Sequence, residues 1–501
     1  MSSSLTPAAV DYGQKPSRTR HLLLIFAATL AVITYIDRVC MSQAKADIAR
    51  DLKLDAVQMG YVFSAFALAY ALFEIPGGWL GDKIGARKVL LRVVIMWSIF
   101  TALTGMAWGL VSLVIMQFLF GAGEAGAFPN LAKAYTHWLP SRERTRAVSI
   151  MWVCTRWGGA ITPLLVVTLI NLVTWRWAFG LLAVPGVIWA VVFFWWFRDH
   201  PRDHPGVNAA ELAKIDENRP KAVAGGHVNV PWRKILSNRA VWLLFLQYFC
   251  FGYGWYFYIT WLPTYLMQAH GADLKDSALL AWAPRLLSGH VNNAMILKVQ
   301  VAALAGIPLF FGGFACLLSS WLANRLTQRG FAVAGIRRSL ACVGYWGAAA
   351  MLLLSALIKD PIWAMFAMGW ASFALDLSLP ISWRTAMDVG GKYAGTVSGS
   401  MNMAAQLGGV VAPIIGGYVL KLNGVDDKPI ALGATQPVLD ATKAVHAWTI
   451  IFCIYVAFYF IGGLCWLFFD PVSPVEADQA GKLPLEPPAV AAAGQEFSDK
   501  Q

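Results

Sequence analysis

The chain is poor in charged residues, which make up 14% of its 501 residues, whereas 58% are hydrophobic. A soluble globular protein carries about 25% charged residues, so a soluble fold is excluded as the main architecture. No G-x-x-x-x-G-K-S/T phosphate loop is present, which argues against direct use of ATP. The seven cysteines lack metal-ligand spacing, and no histidine lies near the centre of an apolar run. The sequence therefore predicts no metal site, no cofactor and no enzyme active site.

Long apolar runs are abundant instead, and the mean hydropathy is +0.55. A helical run of about 20 apolar residues spans the roughly 30 Å of a bilayer core. Twelve such runs predict an all-α polytopic membrane protein. They cover residues 22–42, 57–80, 89–108, 110–133, 146–171, 178–197, 240–267, 300–323, 338–358, 362–384, 395–419 and 447–469.

Features of the first six runs recur in the last six. The pattern GG-x-x-x-P stands at residues 158–163 and again at 408–413, and an acid precedes a proline at both Glu124 and Asp376. The loops after the second and eighth runs are also similar. These echoes predict two pseudo-symmetric six-helix bundles. The predicted divisions are an N-terminal tail 1–20, a first bundle 21–198, a linker 199–239, a second bundle 240–470 and a C-terminal tail 471–501.

The net charge of +12 has a membrane interpretation. Lys and Arg gather in alternate loops, and the positive-inside rule then places both termini in the cytoplasm. A polar lead of about 20 residues precedes the first full-length span, so no cleavable signal peptide is expected. We expect a monomer in the inner (cytoplasmic) membrane. Nucleic acid is not an expected partner, because the basic residues lie in no contiguous soluble domain.

The most specific motif is GWLGDKIGARK, after the second run. Its glycines allow a tight turn, and Asp82 can cap a helix or pair with basic residues. The motif resembles the signature of the major facilitator superfamily. YIDR in the first run, GAGEAGAFPN in the fourth and WLPTYL in the seventh resemble its anion:cation symporter family, which includes bacterial carriers of hexuronates, galactonate and glucarate. The resemblance implies a twelve-helix transporter with gating residues Asp82, Lys83, Arg87 and Arg142.

Two acids within the runs are candidates for proton coupling. Thr34, Asp37 and Arg38 form one i, i+3, i+4 patch, which suits a water-filled cavity; the alternative is an interfacial carboxylate that snorkels outward. Glu124 lies deeper and has glycine neighbours, and its alternative is a permanent pair with an arginine. The resemblance implies that Glu124 is the principal protonation site, that Asp37 takes part in coupling, and that Arg38 holds the anionic substrate.

Arg156 is a further candidate for holding the substrate. Sugar-acid carriers of the resembled family often have arginine where this chain has Gln117. Gln117 is itself a candidate for contact with the substrate, and Arg156 is a potential replacement for the missing arginine. A buried guanidinium needs either a carboxylate partner or a substrate carboxylate. Asp37 and Glu124 are possible partners when substrate is absent, so a direct substrate role and a structural ion pair both stay open.

Other polar and aromatic side chains in the second half are candidates for contacts with the substrate, with packing roles as the alternative. They are Tyr253, Tyr256, Asp376, Trp383 and Asn402. Glu74 is expected at the inner gate rather than in the binding site. The connection 268–299, with Arg285, His290 and Lys298, is either a lid helix or a loop.

The leading functional prediction is import of a carboxylated sugar or similar organic anion together with protons, by alternating access. An anion exchanger or uniporter without proton coupling is the alternative of the same fold. A membrane sensor without transport is a third hypothesis.

Overall fold

The computed structural model describes residues 15–216, 231–275, 280, 293–425 and 438–474. The backbone is helical almost throughout these ranges. The helices are α1 Thr19–Leu52, α2 Ala56–Ile84, α3 Ala86–Thr104, α4 Leu110–Glu124, α5 Ala127–Trp138, α6 Ser141–Leu172, α7 Trp175–Trp196, α8 Ala209–Asp216, α9 Trp232–Ser237, α10 Arg239–Thr260, α11 Leu262–Lys275, α12 Asn293–Ala305, α13 Ile307–Gln328, α14 Val333–Leu357, α15 Pro361–Gly390, α16 Ala394–Leu422 and α17 Val438–Leu467. Short 3₁₀ turns cover Pro201–Asp203 and Gly391–Tyr393.

Each of the twelve predicted runs coincides with one helix or with two consecutive helices. In the described part of the chain, ten helical segments are long and apolar enough to cross a membrane. The other two predicted runs form α3 and α10. Basic residues at the start of α3 and the many tyrosines of α10 make these helices less hydropathic than their neighbours. The all-helical membrane fold is confirmed.

The fourth predicted run is not one continuous helix. It breaks between α4 and α5, directly after Glu124, where Gly126 has a φ of +93°. Residues with a side chain rarely adopt this left-handed conformation. A Cβ at Gly126 would also lie 2.9 Å from the Cα of Gly77 in α2. The break therefore places Glu124 at a helix end, beside a close contact between α4–α5 and α2.

The first helix is longer than predicted, because the polar segment after residue 42 continues it to Leu52. At 1.5 Å per residue, Asp37 lies about 27 Å from the start of α1 and about 22 Å from its end. Asp37 therefore lies near the middle of α1.

The helices form two bundles with the same packing scheme. In the first bundle α1 packs on α6, α2 on α4, and α3 on α7; in the second, α10 packs on α16, α13 on α15, and α14 on α17. The repeated GG-x-x-x-P pattern lies at equivalent contacts. A Cβ at Gly158 would lie 2.9 Å from the Cα of Val32 in α1, and one at Gly408 would lie 2.7 Å from the amide nitrogen of Tyr253 in α10. The predicted pseudo-symmetric bundles are confirmed.

The two bundles meet mainly where α2 packs on α16 and α6 packs on α13. We call the face at which α1 begins the proximal face, and the face at which α1 ends the distal face. Near the distal face, Asp55 pairs with Lys421 at 3.1 Å, and the hydroxyls of Tyr61 and Tyr418 lie 2.7 Å apart. Lys298 of α12 also reaches Asp47 of α1 at 2.8 Å. These contacts hold the bundles together at the distal face.

Part of the predicted linker is packed against the first bundle. Glu211 of α8 is fully buried and accepts hydrogen bonds from the backbone N–H groups of Thr19 and Arg20, at 3.2 and 3.1 Å. Its carboxylate also pairs with the Arg20 guanidinium at 3.0 Å. A carboxylate at the start of a helix satisfies N–H groups that have no partner within the helix. The linker therefore caps α1, which the composition of the linker did not indicate.

Candidate functional site

A small cavity lies between the two bundles, where α1 and α6 face α10, α15 and α16. Its open volume is about 50 Å³, well below the roughly 300 Å³ at which small-molecule pockets begin. In this conformation the cavity is therefore smaller than a typical small-molecule pocket. Most of its lining is aromatic: Tyr35, Tyr70, Phe128, Trp152, Tyr248, Phe251, Trp255 and Tyr256. The polar lining residues are Arg38, Arg156, Asn402 and Gln406.

The first guanidinium in the cavity belongs to Arg38 on α1, which pairs with Glu124 at the end of α4. Its Nε lies 2.6 Å from Oε1 of the glutamate, and a terminal nitrogen lies 2.5 Å from the same oxygen. The ring of Tyr70 faces the guanidinium at 4.7 Å, which adds a cation–π contact. Glu124 is 0% exposed, and within the described residues its Oε2 has no hydrogen-bond partner. Glu124 thus holds the cation through one oxygen and leaves the other unengaged.

The second guanidinium belongs to Arg156 on α6, and its partner is on the other bundle. Asp376 of α15 accepts two parallel hydrogen bonds from it, at 2.8 Å from Nε and 2.5 Å from a terminal nitrogen. Both side chains are almost completely buried, and the Trp255 ring lies 4.8 Å from the guanidinium. The expectation that Asp37 or Glu124 would pair with Arg156 is wrong. Asp376 lies in the helix equivalent to that of Glu124, so each half supplies one acid to an arginine in the cavity.

Asp37 is buried, and no cation among the described residues pairs with it. It is 3% exposed, and neither carboxylate oxygen has a hydrogen-bond partner among the described residues. The neighbouring Thr34 hydroxyl is also buried without a partner in that part of the chain. The snorkelling alternative is wrong, because the side chain does not reach the surface. An ionised carboxylate without a partner at this depth would cost several kcal/mol, so the environment favours the protonated acid.

Asn402 and Tyr256 line the cavity from the second bundle, as expected. The Asn402 amide donates a hydrogen bond to Oε1 of Glu74 at 2.5 Å, and the Tyr256 hydroxyl donates to Oε1 of Gln406 at 2.5 Å. The expectation that Glu74 belongs to the inner gate is therefore wrong. Its carboxyl group lies against a cavity residue of the opposite bundle, where α2 packs on α16.

Four predicted binding residues lie outside the cavity lining in this conformation: Asp376, which pairs with Arg156 as described above, and Gln117, Tyr253 and Trp383. Gln117 is buried between α4 and α3, and its amide donates to the Thr104 hydroxyl at 3.3 Å. The Tyr253 ring stacks on Phe458 inside the second bundle, with the ring centroids 4.0 Å apart. Trp383 lies just behind the lining and donates to the Tyr248 hydroxyl at 2.8 Å.

The predicted gating residues lie near the proximal face. The Arg87 backbone N–H donates to Asp199 at 2.9 Å, and its guanidinium donates to the Phe194 carbonyl, so the motif is attached to the end of α7. Asp199 was not identified from the sequence, where it was part of the linker. The Lys83 ammonium lies 5.3 Å from the centre of the Trp79 ring. The side chains of Asp82 and Arg142 lie outside the described part of the structure, as do Arg285 and His290.

The family model described as Major Facilitator Superfamily matches residues 27–413. A probable sulfoacetate transporter of Cupriavidus necator is 32% identical over 468 residues, which covers 93% of this chain and 98% of the relative. A D-galactonate transporter of Escherichia coli is 30% identical over 425 residues, covering 82% and 91% of the two chains.

The fold is also similar to solved structures. A bacterial homolog of the human lysosomal transporter Spinster, in an inward-facing and unoccupied conformation, superposes with a TM-score of 0.66 at 18% identity, covering 91% of this chain and 98% of that chain. At this identity the similarity concerns the fold alone.

Proposed function

The chain belongs to the major facilitator superfamily of transporters, and from that premise we propose that it imports a small organic anion together with protons. It is a transporter and not an enzyme. The relatives named above are a probable transporter of sulfoacetate and a transporter of D-galactonate, and both of these compounds are organic acids. The proposed substrate class is therefore a small carboxylated or sulfonated anion, with sugar acids included.

One observation carries the proposal: two guanidinium groups line a single cavity between the bundles, and each is already held by a protein carboxylate. An anionic substrate that binds Arg38 or Arg156 has to replace Glu124 or Asp376. The displaced carboxylate would then be buried without a cation, which is costly unless it takes up a proton. Binding of the anion and binding of a proton are thereby linked through the same arginine.

The roles follow from this exchange. Arg38 and Arg156 hold the acidic group of the substrate, Glu124 takes the coupled proton when it releases Arg38, and Asp37 is a second protonation site. Asn402, Tyr256 and the aromatic walls contact the rest of the substrate. Gln117, Tyr253 and Trp383 are proposed to act on substrate only if the bundles move. The basic loops support an inner-membrane location with both termini cytoplasmic.

Uptake by the purified protein in proteoliposomes tests the proposal. Labelled sulfoacetate, galactonate and glucuronate would be offered with and without an imposed inward proton gradient. We expect at least one of them to accumulate above its external concentration only with the gradient, and to lose that accumulation when a protonophore is added. Equal one-for-one exchange that ignores the gradient would overturn proton coupling and favour the exchanger.

A further inference from the structure

Glu74 is a fourth buried acid beside the cavity, in addition to Asp37, Glu124 and Asp376. It lies on α2, is 3% exposed, and accepts a hydrogen bond from Asn402 of α16 at 2.5 Å. In the described part of the chain its Oε2 is buried without a hydrogen-bond partner. The contact therefore joins the two bundles through one carboxyl oxygen and leaves the other available.

The charged and titratable groups around Glu74 do not include a cation of its own. Arg38 is the positive charge that acts on it, but the Arg38 guanidinium is engaged by Glu124. The phenols of Tyr70, on α2, and Tyr256, on α10, are the other titratable groups near it. Asn402, the contact from α16, is neutral.

Among the described residues, four buried acids lie around the cavity with two arginines. Arg38 and Arg156 each engage one acid, Glu124 and Asp376. Asp37 and Glu74 remain, without an ion pair among the described residues. An ionised carboxylate without a partner in the membrane interior costs at least a few kcal/mol. A protonated carboxyl group can keep the bond from Asn402 and needs no cation.

We propose that Glu74 is a further proton carrier of the transport cycle, in addition to Glu124 and Asp37, loaded while α2 packs on α16 and unloaded when these helices separate. Glu74 lies about 15 Å from the proximal end of α2 and about 27 Å from the distal end, by the rise of 1.5 Å per residue. Separation of the bundles at the proximal face would admit water to this carboxyl group, and hydration favours its ionised form. The inference rests on the proposed proton coupling and adds one proton to each cycle.

The test is the number of protons moved per anion in proteoliposomes, measured for the wild type and for Glu74→Gln. Glutamine keeps the size and the hydrogen bond to Asn402 but carries no proton. One coupled proton fewer lowers the limiting accumulation ratio tenfold for each unit of the imposed pH gradient, since one pH unit is a factor of ten in proton activity. We expect this tenfold loss, with uptake still driven by the gradient. Glu124→Gln serves as the comparison, in which gradient-driven accumulation should vanish.

The outcomes separate the two proposals. A wild type that ignores the gradient overturns proton coupling and the role of Glu74 together. A coupled wild type with an unchanged ratio in Glu74→Gln overturns the role of Glu74 alone. Glu74→Asp covers the case in which the glutamine variant does not fold: it keeps an ionisable group but shortens the reach to Asn402. We expect the wild-type proton ratio with a shifted pH dependence of uptake, and an unshifted dependence would count against the proposal.

Discussion

Replacement of Arg156 by glutamine is the most informative perturbation of the cavity. The change removes a guanidinium that makes two charge-assisted hydrogen bonds to Asp376. Hydrogen bonds to charged groups contribute about 1.5–3 kcal/mol, so an anionic substrate that uses Arg156 should bind roughly 10- to 150-fold more weakly. The variant also leaves Asp376 without its cation, which costs about 3–5 kcal/mol if that acid stays ionised. Stability and affinity should therefore both fall.

Asp376→Asn is the matched control, because it removes the other half of the same pair. It also destabilises the empty protein, but it leaves Arg156 free of its competitor. We expect it to retain or improve substrate binding and to gain more thermal stability from the anion than the wild type does. Calorimetric titration and melting curves, with the anion that the wild type accumulates, measure both effects. Wild-type affinity in Arg156→Gln would show that Arg156 serves only to pair with Asp376.

Three further changes test other parts of the structure. Glu124→Gln, which mimics the protonated acid, should abolish accumulation driven by a pH gradient while counterflow survives; persistent accumulation would transfer the role to Asp37. Glu211→Gln should destabilise the protein by about 3–5 kcal/mol, because it breaks a buried ion pair with Arg20. Glu143→Gln removes the more exposed partner of the same arginine and should cost about 1 kcal/mol or less. Equal melting temperatures of the two variants would contradict the capping role of Glu211. Burial by itself would raise the pKa of Asp55. The hydrogen bond from the backbone N–H of Gln58 and the ion pair with Lys421 outweigh this effect, so the pKa of Asp55 lies below its usual value. Ionised Asp55 therefore stabilises the folded form above about pH 4, and this contribution is lost as the pH falls through the lowered pKa. Asp55→Asn should weaken the distal contact between α2 and α16 at pH 7, and its difference from the wild type, measured by cross-linking the two helices, should shrink as the pH is lowered below about 4.

Much of the fold could be predicted because hydropathy and loop charge depend on residues that are close together in the sequence. A run of apolar residues has to be helical in a bilayer, since its backbone polar groups find no other partners there. The repeated GG-x-x-x-P pattern indicated equivalent helices, because small residues allow two backbones to approach closely. Both inferences needed only residues that are near each other in the sequence or at matching places in the two halves.

The partners of the buried charges could not be predicted in this way. Arg156 and Asp376 are 220 residues apart, and which acid meets which arginine depends on how one bundle is placed against the other. Local spacing suggested Asp37 and Glu124 because they lie in the same half. The partner of Gln117 could not be predicted either. Gln117 was expected to contact the substrate, but its side-chain amide donates a hydrogen bond to Thr104 on a neighbouring helix.

The small size of the cavity and the pairing of Arg156 together constrain how transport can proceed. A cavity of about 50 Å³ is smaller than an organic anion, so it has to widen as the substrate binds. The Arg156–Asp376 pair joins α6 to α15, and separation would break it and strand two buried charges. An anion that binds Arg156 as the pair opens replaces one of the lost partners, and a proton on Asp376 removes the other charge. The same pair that holds the empty protein closed therefore favours opening only when anion and proton are both available, which is the condition for coupled transport.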